Sequence, residues 1–356
     1  MILLLLLLSP KAQAADLSRE IGADSFSRAA EAYLEGYLDV EKLTGDSFSA
    51  GAAAVLEGGL GEMRGLLRRS LKSGILLLAV ALLCSFAETV REDLGGGLDP
   101  VRLAGAAAVT SLAVADIHTL MGLGKATLEE LDAFSKLLLP VVTAAGTAAG
   151  RPAAAVARQG AVLLFLGLLL TLADRLALPL IYAYVAACAA HAALGNEGLK
   201  RLAGMLKWTA TGLLSLLLTG FVFYLSVTGA VAGSADAMAQ KAAKTAISGM
   251  IPVVGGILSD AAETVAAGAG VVKGTVGVVG LLAVLAVCLI PFLRLGVHYL
   301  VYKGAATLTA TVINGPMAGL MDSIGSAFAL MLGLVGGGGM ILYIALITSI
   351  QAVGGG

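Results

Sequence analysis

Apolar runs, most of them long enough to cross a bilayer, alternate with short charged clusters over most of this chain. A transmembrane helix needs roughly 20 mostly apolar residues. The runs at 71–87, 103–123, 160–173, 176–194, 208–231, 276–293, 295–313 and 328–350 reach or approach that length. A shorter run at 137–150, rich in Ala and Gly and holding Pro140, reads as a half-span or the end of a tilted helix. Asp174 and Arg175 separate two of the strongest runs and read as a tight turn between them. Length and pattern together leave room for about six to nine spans.

The first 70 residues differ in kind. Residues 2–8 form an unbroken apolar run that Ser9 and Pro10 interrupt, and Ala12, Gln13 and Ala14 then match a small-residue cleavage site. The expectation is a signal peptide at 1–14 and a mature N-terminus, from Ala15, outside the cytoplasm. Beyond it Phe26, Ala30, Tyr33, Tyr37 and Val40 recur at helical spacing, and so do Leu56, Leu60, Met63, Leu67 and Leu71. Charges at Glu57, Arg64, Arg68 and Arg69 fall between the members of the second set. The pattern predicts an extracytoplasmic region of two amphipathic helices at 15–70, the second feeding into the first span. It fits a hairpin that buries its own apolar faces as well as a helix in the membrane interface or against a partner.

Residues 234–274 make a second break between a first group of transmembrane helices at 71–233 and a C-terminal group at 275–356. The segment opens polar and then runs apolar from Ile251 to Leu258, too short to span. Such an element suits an interfacial or re-entrant segment, because backbone groups exposed to lipid are left unsatisfied. Pro252, Gly255 and Gly256 are expected to set its bend, with Asp260 and Glu263 facing water or a partner. These five are the candidate structural and functional residues outside the plain spans.

Composition fixes the class. With 58% hydrophobic and 13% charged residues, the chain has too few polar groups to cover a soluble surface. Mean hydropathy is +0.93. The fold class is therefore all-α, a polytopic helical membrane protein. A net charge of −1 gives no footprint for nucleic acid. Cys84, Cys188 and Cys288 each sit alone in an apolar run and read as small packing residues. With the N-terminus outside, the positive-inside rule places Arg151 and Arg158 in the cytoplasm, and likewise Lys200, Arg201 and Lys207. It places a loop at 125–136 and the 234–273 segment outside.

No motif for a catalytic metal, a nucleotide or a nucleophilic triad stands in the sequence, so neither enzymatic activity nor a cofactor or bound metal is expected. The candidate intramembrane polar residues are Asp116, His118, Arg294 and His298. Asp116 and His118 are two apart and point roughly 160° apart on a helix. Arg294 and His298 are four apart and share a face. Charged groups at membrane depth are costly and mark polar passages, whereas near a span end they reach water by snorkelling. Glycine, at 47 residues, forms G-x-x-x-G pairs at Gly146/Gly150, Gly229/Gly233, Gly270/Gly274, Gly315/Gly319 and Gly333/Gly337. Such pairs, and the run from Gly336 to Gly339, predict close helix contact.

Three stretches resemble the stage III sporulation protein AE family: residues 244–265 around Pro252, residues 288–294 with Pro291 and Arg294, and residues 322–328 from Asp322 to Phe328. The order of features is also similar over essentially the whole chain. The resemblance implies a multipass subunit in the mother-cell membrane facing the forespore, within a secretion-like channel complex needed for endospore formation. It implies as partners the other stage III A operon proteins and, through the complex, stage II sporulation protein Q, besides the lipid bilayer. It carries no catalytic residues. A self-sufficient permease and a membrane assembly factor or anchor without a conduit are the alternatives.

Overall fold

A computed structural model of the protein describes residues 48–91, 100–148, 152–227, 275–312 and 315–354, with Ala30, Glu31 and Leu34. All but Gly195, Asn196 and Gly315 of the described residues are helical, and none lies in a strand. The elements are α1 (Phe48–Arg91), α2 (Pro100–Ala148), α3 (Pro152–Leu172), a π-helical turn (Ala173–Ala177), α4 (Leu178–Leu194), α5 (Glu197–Val227), α6 (Thr275–Val312) and α7 (Pro316–Gly354). Five stretches are long and apolar enough to cross a membrane: Pro100–Ala144, Gln159–Leu194, Glu197–Ser226, Gly277–Thr311 and Pro316–Ser349. The chain is thus an all-α polytopic membrane protein.

Several runs that read as separate spans are halves of one helix. The runs at 103–123 and 137–150 both belong to α2, and those at 276–293 and 295–313 both belong to α6. The expected loop at 125–136 is helical. Leu128, Leu131, Phe134, Ser135 and Leu138 are buried at helical spacing along one face of it. Its charges pair along the helix, Lys125 with Glu129 at 3.9 Å and Lys136 with Asp132 at 2.5 Å.

Asp174 and Arg175 do not form a tight turn. They sit in the π-helical turn, and the helix continues through it from α3 into α4. Neither Gly nor Pro stands at 173–178 to break the helix, but Pro179 stands one turn later. Proline lacks an N–H and its ring displaces the carbonyl four residues back, which here is that of Arg175. The widened turn absorbs the conflict: the Leu178 N–H donates to the Ala173 carbonyl, five residues back. The Gln159–Leu194 stretch of 36 residues therefore runs about 54 Å without reversing. Its two ends lie at opposite ends of the bundle, so a single crossing cannot leave both the 151–158 and the 195–207 segments in the cytoplasm.

The bundle is organised around α7, which packs against α1 to α6, most extensively against α6 and α2. Successive helix positions turn by about 100°, so adjacent glycines face different neighbours. A methyl group on Gly337 would stand 3.1 Å from Leu218 of α5, and one on Gly338 2.8 Å from Leu128 of α2 and 3.4 Å from Leu169 of α3. One on Gly339 would stand 2.9 Å from the Cys288 sulfur of α6. The expected close contact is real here, and it serves four neighbouring helices at one level. Gly319, by contrast, has nothing near its missing side chain.

α1 packs on α6 through small residues. Ala52, Val55, Ser70, Leu77 and Ala81 are buried, and a methyl group on Gly59 or Gly74 would collide with Leu289 or Val301 of α6. The stripe of Leu56, Leu60, Leu67 and Leu71 is exposed instead. The second amphipathic helix does run into the 71–87 segment as one helix, but it turns its small-residue face to the bundle.

Candidate functional site

Polar side chains meet across the bundle where α1, α2, α5, α6 and α7 come together. On one side, Asp116 of α2 accepts hydrogen bonds from the Ser73 hydroxyl of α1 at 3.2 Å and the Tyr302 hydroxyl of α6 at 3.0 Å. Tyr302 is fully buried. A carboxylate at this depth is costly unless it is hydrogen-bonded, and two hydroxyl donors from two other helices converge on its Oδ2 here. Asp116 is thus turned into the bundle, joining three helices.

About one turn earlier on both α1 and α6, Ser70 and His298 repeat the pairing, with Oγ and Nε2 3.4 Å apart. The Nδ1 of His298 lies 2.8 Å from the Arg294 carbonyl. A carbonyl only accepts, so Nδ1 carries the donated proton and Nε2 is the ring atom turned to the Ser70 hydroxyl. Arg294 and His298 do share one face, and their link runs from ring to backbone. His118 is exposed on the far side of α2 from Asp116.

On the other side of α6 a cationic cluster forms. Lys303 Nζ donates to Asp322 Oδ1 of α7 at 2.5 Å and to the Ser326 hydroxyl at 3.2 Å. Lys207 of α5 donates to the same hydroxyl at 3.1 Å. Ser326 in turn donates to the Asp322 carbonyl at 3.0 Å, so its one proton and both lone pairs are used. Tyr184 and Cys188 of α4 lie beside Ser323 and Ser326. Phe328 separates the two sides, packing edge-on against Tyr302 at 5.1 Å and His298 at 5.9 Å between ring centres. A third pair, Lys125 with Asp174 at 2.7 Å, ties α2 to the π-helical turn.

Of the residues singled out in the sequence, Asp116, Arg294 and His298 lie at this junction and His118 does not. Pro252, Gly255, Gly256, Asp260 and Glu263 lie outside the described residues, as do the pairs Gly229/Gly233 and Gly270/Gly274. The sequence reading passed over Lys303, Asp322 and Ser326 as site residues. A signal was present: Asp322 is the one charged residue in α7, and Lys303 is the one Lys, Arg, Asp or Glu in α6 beyond Arg294. Two lone charges of opposite sign on successive apolar helices point to each other. Among the described residues, no three His, Cys, Asp or Glu side chains converge as a metal site would require.

The comparisons with known proteins agree on one family. The family model of stage III sporulation protein AE matches residues 63–354. A curated relative, stage III sporulation protein AE of Bacillus subtilis (strain 168), is 25% identical over 213 residues, covering 60% of this chain and 53% of the relative. The chain thus aligns with about half the length of that relative. No solved structure matches.

Proposed function

Because the chain belongs to the stage III sporulation protein AE family, we propose that it is a multipass subunit of the channel complex between mother cell and forespore. In this reading it resides in the mother-cell membrane with its mature N-terminus outside the cytoplasm. Its partners are the other stage III A operon proteins and, through them, stage II sporulation protein Q. It works as a packed support for the conduit rather than as a permease or an enzyme.

The filled centre of the bundle is the observation that favours this reading. A self-sufficient permease needs a binding site near the bilayer midplane between its helices. That place is taken by α7, whose glycines bring its backbone against α2, α3, α5 and α6. Such packing suits a fixed subunit whose outer faces meet lipid and other proteins.

Native gel separation of membranes from sporulating cells tests the proposal. The chain should migrate in a large complex together with the other stage III A proteins, and cells lacking it should fail to complete spores. Migration as a monomer, together with solute transport by the purified chain alone in liposomes, would establish the permease instead.

A further inference from the structure

We infer that Lys207 and Lys303 form a binding site for the phosphate of an anionic phospholipid headgroup. Two observations carry it. Two ammonium groups on different helices converge on one neutral hydroxyl, that of Ser326, at 3.1 and 3.2 Å. Among the described residues one carboxylate, Asp322, accompanies them, and it pairs with Lys303. Two like charges this close repel each other, strongly so beside a low-dielectric wall. A phosphate placed between them relieves that repulsion, and each ammonium carries three donors, of which Lys207 uses one on Ser326.

The surroundings select the source of the phosphate. Lys207 is exposed, and the Lys303 and Asp322 side chains keep 28% and 53% of their accessibility, so the cluster opens to the outside. Trp208, next in the chain to Lys207 on α5, and Leu300, one turn before Lys303 on α6, are exposed. A cationic pair set in an exposed apolar surface meets lipid headgroups. Trp208 also stands where the charged first turns of α5 give way to its apolar remainder, the position an indole takes at the membrane–water boundary. Basic pockets between transmembrane helices hold anionic headgroups by this chemistry.

Trp208 is the single tryptophan of the chain and reports on its neighbour. The full-length protein is reconstituted in phosphatidylcholine vesicles holding either brominated phosphatidylglycerol or the same fraction of brominated phosphatidylcholine. The anionic lipid should quench Trp208 preferentially, with about a fivefold preference per lysine. Lys207→Gln and Lys303→Gln should each lower that preference, and Asp322→Asn should raise it. Lys200→Gln, which removes an exposed charge paired with Glu197 at 3.5 Å, should leave it unchanged. Quenching by the zwitterionic lipid checks that each variant is inserted and folded. Equal quenching by the two lipids, an equal loss in Lys200→Gln, or no gain in Asp322→Asn would overturn the site. Relief of the preference by millimolar inorganic phosphate would assign it to a free anion and overturn the lipid.

Discussion

α5 and α7 are both apolar enough to cross a membrane, yet they do opposite things. In the most apolar stretch of α7, 83% is buried within the bundle, against 28% for α5. What separates them is side-chain size. α7 carries glycines where four helices press on it, whereas α5 presents Leu216, Phe223 and Trp208 outward. In lipid no hydrophobic effect pulls apolar side chains together, because the acyl chains are as apolar as leucine. Close approach of backbones decides which helix is central, and small residues permit it. Hydropathy finds helices that enter the membrane; glycine content finds the one that ends in the middle.

The sharpest way to break this contrast is all-or-none. It takes each long helix as a single crossing, so the segment before α3 and the turn before α5 must lie on opposite sides of the membrane. In a background lacking the three native cysteines, single cysteines at Arg151 and Asn196 should label from opposite faces with an impermeant thiol reagent. Labelling of both from the same face would show that the α3–α4 rod re-enters.

Next in size is the glycine itself. Gly338→Leu forces a side chain into Leu128, Leu131 and Leu169, and overpacking of this kind costs about 3 kcal/mol. Thermal unfolding in detergent should show a large loss and the chain should accumulate poorly. Gly212→Leu on α5, where nothing lies within 4 Å, should leave the transition in place. Comparable losses at the two positions would remove the distinction.

The smallest expected effect lies on the outer helix. Leu216 is 71% exposed, so Leu216→Ala should change stability by no more than about 0.5 kcal/mol. A larger loss in the same unfolding assay would mean that α5 packs against something besides lipid.

The sequence made the class of the protein plain, because apolar runs and scarce charge need no tertiary knowledge. It also located Asp116, Arg294 and His298. It divided the helices wrongly where charge was taken as a sign of a loop. At 125–136 the buried Leu128, Leu131 and Phe134 outweigh the charges, which pair along the helix surface. At 174–175 a π-helical turn accommodates Pro179 without stopping the helix, and no residue pattern there marks it. In α1 the eye follows the larger residues, Leu56 to Leu71, while packing follows the smaller ones, Ala52, Gly59 and Gly74. The cationic cluster was hidden for another reason. Its members come from α5, α6 and α7, and only the fold puts Lys207 within reach of Ser326.

The place of α7 also has a consequence in time. It is the last of the described helices to leave the ribosome, yet every other helix rests on it. Until it inserts, α1 to α6 stand around an empty axis with their glycine-facing side chains unmatched. Assembly therefore waits for the stretch of the message that encodes α7, and a nascent chain that stops short of it presents the cell with a loose set of rods rather than a smaller finished protein.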